Sequence, residues 1–595
     1  MAGIDFTTKS VPIPLIKNSG GLNSTASPVG VADNEASDLQ NIDFDRFGAF
    51  KKRNGFNLLN TSAVNSGADC TGLHYFLNRQ ADIFIGVFED KIYKMDSLDG
   101  TWDNITGLTQ KFVGAGLNDA TFGGVLSTTY APTYKVVIDT TGTPDKFEWF
   151  KDGVSQAAGV AITGAAQTLD SGITITFAAT TGHTLNEYWL GYPPVTISVG
   201  KENQWKFVTF NNAVYATNGL NLPIKIDEYA GCTNFLVPPG LTKAKFIESF
   251  ENYMWLANCL VSGVKRPTRA YWSAIDNAES WDAADFIEVG LDDGDDLSGL
   301  KKLGDRMALY KEESIHVALF TGDADIPFVF KKTPAETGTV SNLSIVEAIN
   351  GHFFLATDGI YFFDGFNITK LSDRISTTIL DMYDQRLQYS VGCYQKSKNK
   401  YWLCISSQSS GNDTVITYDI FNNAFSIYKG ISANAITSFK YINDERVYFG
   451  DYSGFCCRAD VENNYSDRSS ANAKVAIEGF YKTKWFDFGD VVLQKGISQS
   501  VSYFDFEDTT LSVSYSYDLN EDSTYTQLYS LNQGIAKWDS ATWDEDEWVS
   551  RGGSFYRVDH KGRGRLMREI FYNNNIDQPF KINAYGMLVH YETHV

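Results

Sequence analysis

The chain has 595 residues, 43% of them apolar and 14% aromatic, with 40 Phe, 32 Tyr and 12 Trp. That length exceeds what one hydrophobic core can hold and fits two to four domains, while the apolar content excludes a disordered chain. A formal net charge of −22 argues against a partner bound by phosphate neutralisation over most of the surface; it fits a solvated surface, or a channel along which nucleic acid slides without sticking. Aromatic, Thr, Ser and Gly richness without long helical periods predicts an all-β protein.

Residues 1–60 read as an N-terminal arm followed by first strands. The opening residues have neither a basic n-region nor a long apolar core, and no transmembrane span is visible in the sequence, so export by the usual route is not expected. Within the arm, DNEASDLQNI is expected to form one helical turn capped by Asp33 or Asn34. The basic cluster Arg46, Lys51, Lys52 and Arg53 reads as a solvated strand edge. Residues 61–111 hold the first hairpin of a repeat. In 112–197 charges become sparse and period-2 strands such as Tyr134-Val136-Ile138 and Ile173-Ile175-Phe177 predict an inserted small β-sandwich, left at Pro193-Pro194.

The repeat resumes over 198–460. Its clearest copy is Gly351 to Gly365, two apolar runs around Asp358-Gly359, which predicts a hairpin with a type I′ turn whose aromatics pack blade on blade. Related strand–turn–strand stretches end at Asp96, Asp227 and Asp460. From Asp227 through Asp364 to Asp460 the spacing is five steps of roughly 46 to 48 residues, the range of propeller blades. The longer interval after Asp96 is accounted for by the insertion. Six or seven blades follow, the marks favouring seven, with Phe50 to Leu58 as a segment able to close the ring by donating a strand. Residues 461–474 read as a polar linker and 475–595 as a C-terminal β-sandwich, carrying an acidic loop with Trp538, Trp543 and Trp548 and then the basic run His560 to Arg568.

Chemical signatures are sparse. The turn Asp292 to Asp296 offers carboxylates to Ca²⁺ but lacks the spacing of a calcium loop, and reads as solvated. The Trp loop reads as a pinned sandwich loop, and the basic run as an intersubunit salt-bridge strip. Ser97 to Trp102 is one residue short of a sialidase Asp-box. Seven scattered Cys without CxxC spacing read as reduced core residues. No GxSxG, HExxH or GxxxxGK[ST] occurs, so no enzyme, no catalytic, cofactor-binding or metal residues and no cofactor are expected.

Three stretches carry a family likeness: the opening GGLN…SP…DNEASDLQNIDFDRFGAFKKRNGF, the central AYWSAIDNAESW…DDGDDLSGLKKLGDRMALYKEESI and the closing GRGRLMREIFYNNNIDQPFKINAYG. They resemble tail hub or nozzle proteins of short-tailed, double-stranded DNA bacteriophages, and DKFEWFKDG…TGHTLNEYW is similar to small β-domains inserted in such virion proteins. The resemblance implies a propeller-containing virion subunit, assembled in the host cytoplasm into a homo-oligomeric ring, a hexamer, below the tail adaptor and portal. It would extend and gate the DNA-ejection channel, let double-stranded DNA pass without specific binding, and carry tail fibres. A glycan-binding or glycan-degrading tail protein and a cellular propeller scaffold are the alternatives.

Overall fold

The computed structural model describes residues 10–12, 19–80, 82–504, 509–520, 525–530 and 554–591. Within them lie seven four-stranded antiparallel sheets, arranged as the blades of a β-propeller. Blade 1 is Cys70–Phe76, Ile83–Phe88, Lys91–Met95 and Asp103–Asn104; blade 2 is Lys206–Phe210, Ala213–Thr217, Ile224–Ile226 and Cys232–Asn234. Blade 3 is Leu241–Phe250, Tyr253–Val261, Val264–Trp272 and Phe286–Glu288; blade 4 is Gly299–Leu303, Arg306–Tyr310, Ile315–Phe320 and Phe328–Lys332. Blade 5 is Val346–Ala348, Gly351–Leu355, Ile360–Phe363 and Ile368–Lys370; blade 6 is Val391–Gln395, Lys400–Ile405, Thr414–Asp419 and Ala424–Lys429. Blade 7 takes three strands in order, Ala435–Tyr441, Asp444–Gly450 and Cys456–Ala459, and its fourth from the N-terminal arm: Asn57–Leu58 pairs with Arg458 and Cys457. The ring is thereby closed by the first propeller strand of the chain, a device that leaves no open edge between first and last blades.

The middle strands are buried on both faces. Ile83–Phe88, Gly351–Leu355 and Lys400–Ile405 have no exposed residue, since each lies between two neighbouring blades. This is why they read as continuous apolar runs rather than alternating ones. The aromatics of Gly351–Leu355 do pack blade on blade: Phe353 stacks on Tyr401 of blade 6 at 5.6 Å, and Phe354 meets Tyr310 of blade 4 edge-on at 5.3 Å. The turn itself differs from the type I′ expectation. Ala356 N donates to Gly359 O at 2.8 Å, so the central residues are Thr357 and Asp358, and neither has positive φ. Gly359 is needed for space, because a Cβ there would lie 2.5 Å from Ser372 Oγ. The hairpin joins the second and third strands of its blade, and a fourth strand lies outside it.

Strands between Thr109 and Tyr192 form a five-stranded and a three-stranded sheet around their own core of Phe147, Phe177 and Trp189. This β-sandwich is inserted between blades 1 and 2 and is docked on the latter's fourth strand. Ala131 N donates to Asn234 Oδ1 and Asn234 N to Ala131 O, both at 2.9 Å, and Tyr192 OH donates to Asp227 Oδ2 at 2.6 Å.

A second sandwich joins the two ends of the sequence. Glu35–Gln40 pairs with Gly479–Thr483, which pairs with Met567–Asn573; in the facing sheet Ile42–Phe44 and Phe50–Lys52 extend Lys581–Tyr591 and Lys495–Phe504. The arm is therefore part of the C-terminal sandwich. The expected helical turn at DNEASDLQNI is instead a strand, held by the ladder to Gly479–Thr483 and by Glu35, whose carboxylate pairs with Arg374 at 3.2 Å. The expected polar linker contains a hairpin, Ser466–Arg468 with Lys474–Ala476, because Asp467 is drawn inward by a buried arginine described below.

Candidate functional site

The first strands of the blades line an axial channel with two connected cavities. An inner one of about 200 Å³ is walled by residues such as His74, Trp205, Glu248, Lys301, Gly392 and Thr437. A second, of about 230 Å³, lies at one mouth against Lys206, Lys245, Asn342 and Tyr389. Both are smaller than the roughly 300–1,000 Å³ of drug-sized ligand sites, and neither admits a nucleic-acid duplex. The mouth is built by a belt of amides spanning blades 2, 6 and 7. Gln204 Nε2 donates to Tyr389 O at 2.9 Å and Asn434 O at 3.0 Å, while Asn412 Nδ2 donates to Tyr389 O and Ala433 O, each at 3.0 Å.

The charges on this wall are unequal in their partners. Glu248 accepts Lys301 Nζ at 2.9 Å, and Glu202 accepts Arg386 NH1 at 2.7 Å. Among the described residues Lys206 donates to Gln204 O alone, at 2.9 Å. Enclosure in the channel, with Lys245 adding to it, lowers the Lys206 pKa to about 7. Burial also lowers that of His74 to about 4, leaving a neutral imidazole stacked on Phe207 at 5.4 Å and bonded to Thr209 Oγ1 at 2.9 Å.

The motifs singled out in the sequence have mainly structural roles. The acidic turn at Asp292 to Asp296 is largely exposed, and its pocket is filled by the buried ammonium of Lys311, which donates to Asp293 Oδ1 at 2.5 Å, Asp295 O at 2.8 Å and Gly290 O at 3.0 Å. The cluster expected at a solvated edge is half inside: Lys52 and Arg53 are buried. Arg53 grips Asp467 with two bonds of 2.9 and 2.6 Å and also reaches Lys429 O, tying the arm, the 466–476 hairpin and blade 6 together. Lys52 donates to Asn573 Oδ1 at 2.8 Å and two carbonyls, and burial holds its pKa at about 8. In the basic run, Lys561, Arg563 and Arg565 are exposed, whereas Arg568 lies over the Trp485 ring at 4.8 Å. Within Ser97 to Trp102, Asp99 caps its own turn and Trp102 packs on Phe84 and Phe88. The Trp538, Trp543 and Trp548 loop lies outside the described residues. All seven Cys are unpaired and buried.

Two clusters escaped the sequence reading. His183 is clamped in the inserted sandwich, Nδ1 to Asp145 Oδ2 at 3.0 Å and Nε2 to Asp119 Oδ1 at 2.9 Å. Burial opposes its charge, but the hydrogen bonds and charges of the two carboxylates prevail and raise its pKa. Its side chain is fully enclosed, so it pins loops and presents nothing to a substrate. The other is Lys400 with Asp43, a buried ion pair between blade 6 and the C-terminal sandwich. No signal short of the fold pairs residues so far apart. Among the described residues no three His, Cys, Asp or Glu side chains are grouped to hold a metal, and no helix is long and apolar enough to cross a membrane.

No protein-family model and no curated protein matches this chain. Solved structures share its fold class at low identity. Sqt1 of Saccharomyces cerevisiae is 10% identical with a TM-score of 0.35, over 68% of this chain and 99% of that one. BamB from Moraxella catarrhalis is 10% identical with a TM-score of 0.29, over 67% and 98%. An exo-β-1,3-galactanase from Phanerochaete chrysosporium is 9% identical with a TM-score of 0.22, over 66% and 96%. Likenesses of that size transfer no activity; the seven sheets define the fold by themselves.

Proposed function

We propose that this chain is a structural subunit of a bacteriophage tail, a nozzle or hub protein that assembles as a ring, extends and gates the DNA-ejection channel and attaches tail fibres. The observation that carries the reading is where the stretches resembling tail hub proteins fall. Those at the two ends of the sequence, far apart in the chain, fold into one sandwich, and the central one runs from the third strand of blade 3 to the third strand of blade 4. The likeness at the two ends thus falls on one core, which the sandwich shares with blades 5 and 6, while the central stretch belongs to the separate core of blades 3 and 4.

The propeller axis is too narrow for a duplex, so in this reading DNA passes between subunits, along a lumen framed by several copies. The net charge of −22 per chain favours sliding over adsorption there. Light scattering of the purified chain, alone and mixed with an adaptor ring, tests this: a closed ring, or capture by the adaptor, is expected. A stable monomer that ignores the adaptor and releases oligosaccharide from host glycan would replace the reading with a glycan-degrading tail protein.

A further inference from the structure

We propose that the mouth of the axial channel, between Lys206 of blade 2 and Lys245 of blade 3, binds a compact oxyanion, a phosphate or carboxylate group. The cavity there is about 230 Å³ and both lysines are on its wall. In a chain with 72 acidic and 50 basic residues, a lysine inside a cavity would be expected to find a carboxylate. These two do not, among the described residues.

The acids lining the two cavities are taken: Glu202 of the mouth pairs with Arg386, and Glu248 of the inner cavity with Lys301. Lys206 uses one of its three N–H donors, on Gln204 O. Lys245 lies over the Phe246 ring at 5.4 Å, and the acids that act on it, Asp296 and Glu312, do so through space without forming an ion pair. An uncharged donor completes the set. Asn342 accepts Leu300 N on its Oδ1 at 2.8 Å, which leaves its Nδ2 without a described partner on the wall of both cavities.

Lys206 is half-buried and Lys245 exposed at the mouth, and two ammonium groups held side by side on one cavity wall with unused donors repel each other. A bound anion removes the mutual repulsion and takes up those donors, so binding is favoured by the arrangement itself. The small volume restricts the ligand to a phosphate, pyrophosphate or small polycarboxylate. The site belongs to one chain's own axis and does not depend on ring assembly.

Calorimetric titration of the full chain with inorganic phosphate, pyrophosphate or citrate, at ionic strength fixed with NaCl, tests the site at pH 6.5 and pH 9. One saturable site per chain is expected for at least one of them. Affinity should fall about tenfold or more in Lys206→Met and in Lys245→Met, the size of one lost charge-assisted contact, and should hold in Lys243→Met. Unmodified protein should bind more weakly at pH 9, where Lys206 has lost its proton; phosphate gains charge over that range, so the weakening belongs to the protein. A preference for the phosphates or for citrate assigns the ligand class. Absence of saturable binding to all three, equal affinity at both pH values, or binding untouched by folded lysine variants would overturn the proposal. The pH comparison uses the natural chain and stands even if a variant fails to fold.

Discussion

Lys400 and Asp43 hold the seam between blade 6 and the C-terminal sandwich, where Ser426 Oγ also donates to Ile42 O at 2.5 Å and Asn41 N to Ile427 O at 2.8 Å. Burial alone would raise the Asp43 pKa, but the ammonium of Lys400 outweighs it and holds the carboxyl well below its usual range. Removing one partner leaves an uncompensated buried charge. Asp43→Ala or Lys400→Met should therefore cost about 3–5 kcal/mol of unfolding free energy in denaturant titrations, whereas the apolar pair Asp43→Leu with Lys400→Met should cost clearly less than the sum. Additive losses would show that the two groups do not act as a pair. At Lys52 and Arg53 the inward turn has a non-local cause. A basic run beside a strand usually is a solvated edge, and only the partners Asp467 and Asn573, more than 400 residues away, turn it inward.

Strand and turn signals were readable because their causes are local. At two of the four recurring positions the Asp after a third strand is a turn cap: Asp227 accepts Tyr229 N and Gly231 N, and Asp364 accepts Phe366 N and Asn367 N, whereas Asp96 pairs with Lys94 and Asp460 accepts Asn54, Gln395 and Lys398. The capping role needs only neighbours two to four residues on, which is why it is legible at Asp227 and Asp364 from local sequence. Ring closure is non-local, and the sequence showed only that Phe50 to Leu58 was available for it. Its weight can be tested at one donor. Leu59 N donates to Cys456 O at 2.8 Å, beside the two-residue strand that completes blade 7. Leu59→Pro deletes that bond and should destabilise by about 1–3 kcal/mol. Amide exchange should quicken at Cys456–Ala459 and in blade 1, which shares a core with it through Cys70, Phe84 and Tyr448, while blades 3 and 4 keep their protection. Unchanged exchange in blade 7 would mean that the arm does not close the ring.

At the scale of the molecule, cooperativity should follow the cores rather than the order of the sequence. One core runs without a break from Leu22, Phe50, Tyr481 and Phe571 of the sandwich into Phe353, Leu403 and Phe425 of blades 5 and 6. The inserted sandwich has a core of its own, and touches the propeller through Asn234, Asp227 and a few apolar contacts around Ala131 and Val195. Propeller and C-terminal sandwich should therefore unfold together, and the insertion as a separate step. The two steps should answer pH in opposite senses. His183 has a raised folded pKa, so its contribution is complete below its unfolded pKa, about 6.5, and is lost as pH rises through the folded value. Asp43 has a depressed folded pKa, so its contribution is complete above about 3.9 and is lost as pH falls toward the folded value. Calorimetric scans should show the insertion transition moving down from pH 6 to pH 9, an effect abolished by His183→Gln, and the main transition moving down below pH 4, with that shift reduced in the apolar Asp43→Leu, Lys400→Met pair. A single transition that moves as one at both ends of the pH range would mean that the docking on blade 2 couples the insertion to the rest more strongly than its contacts imply.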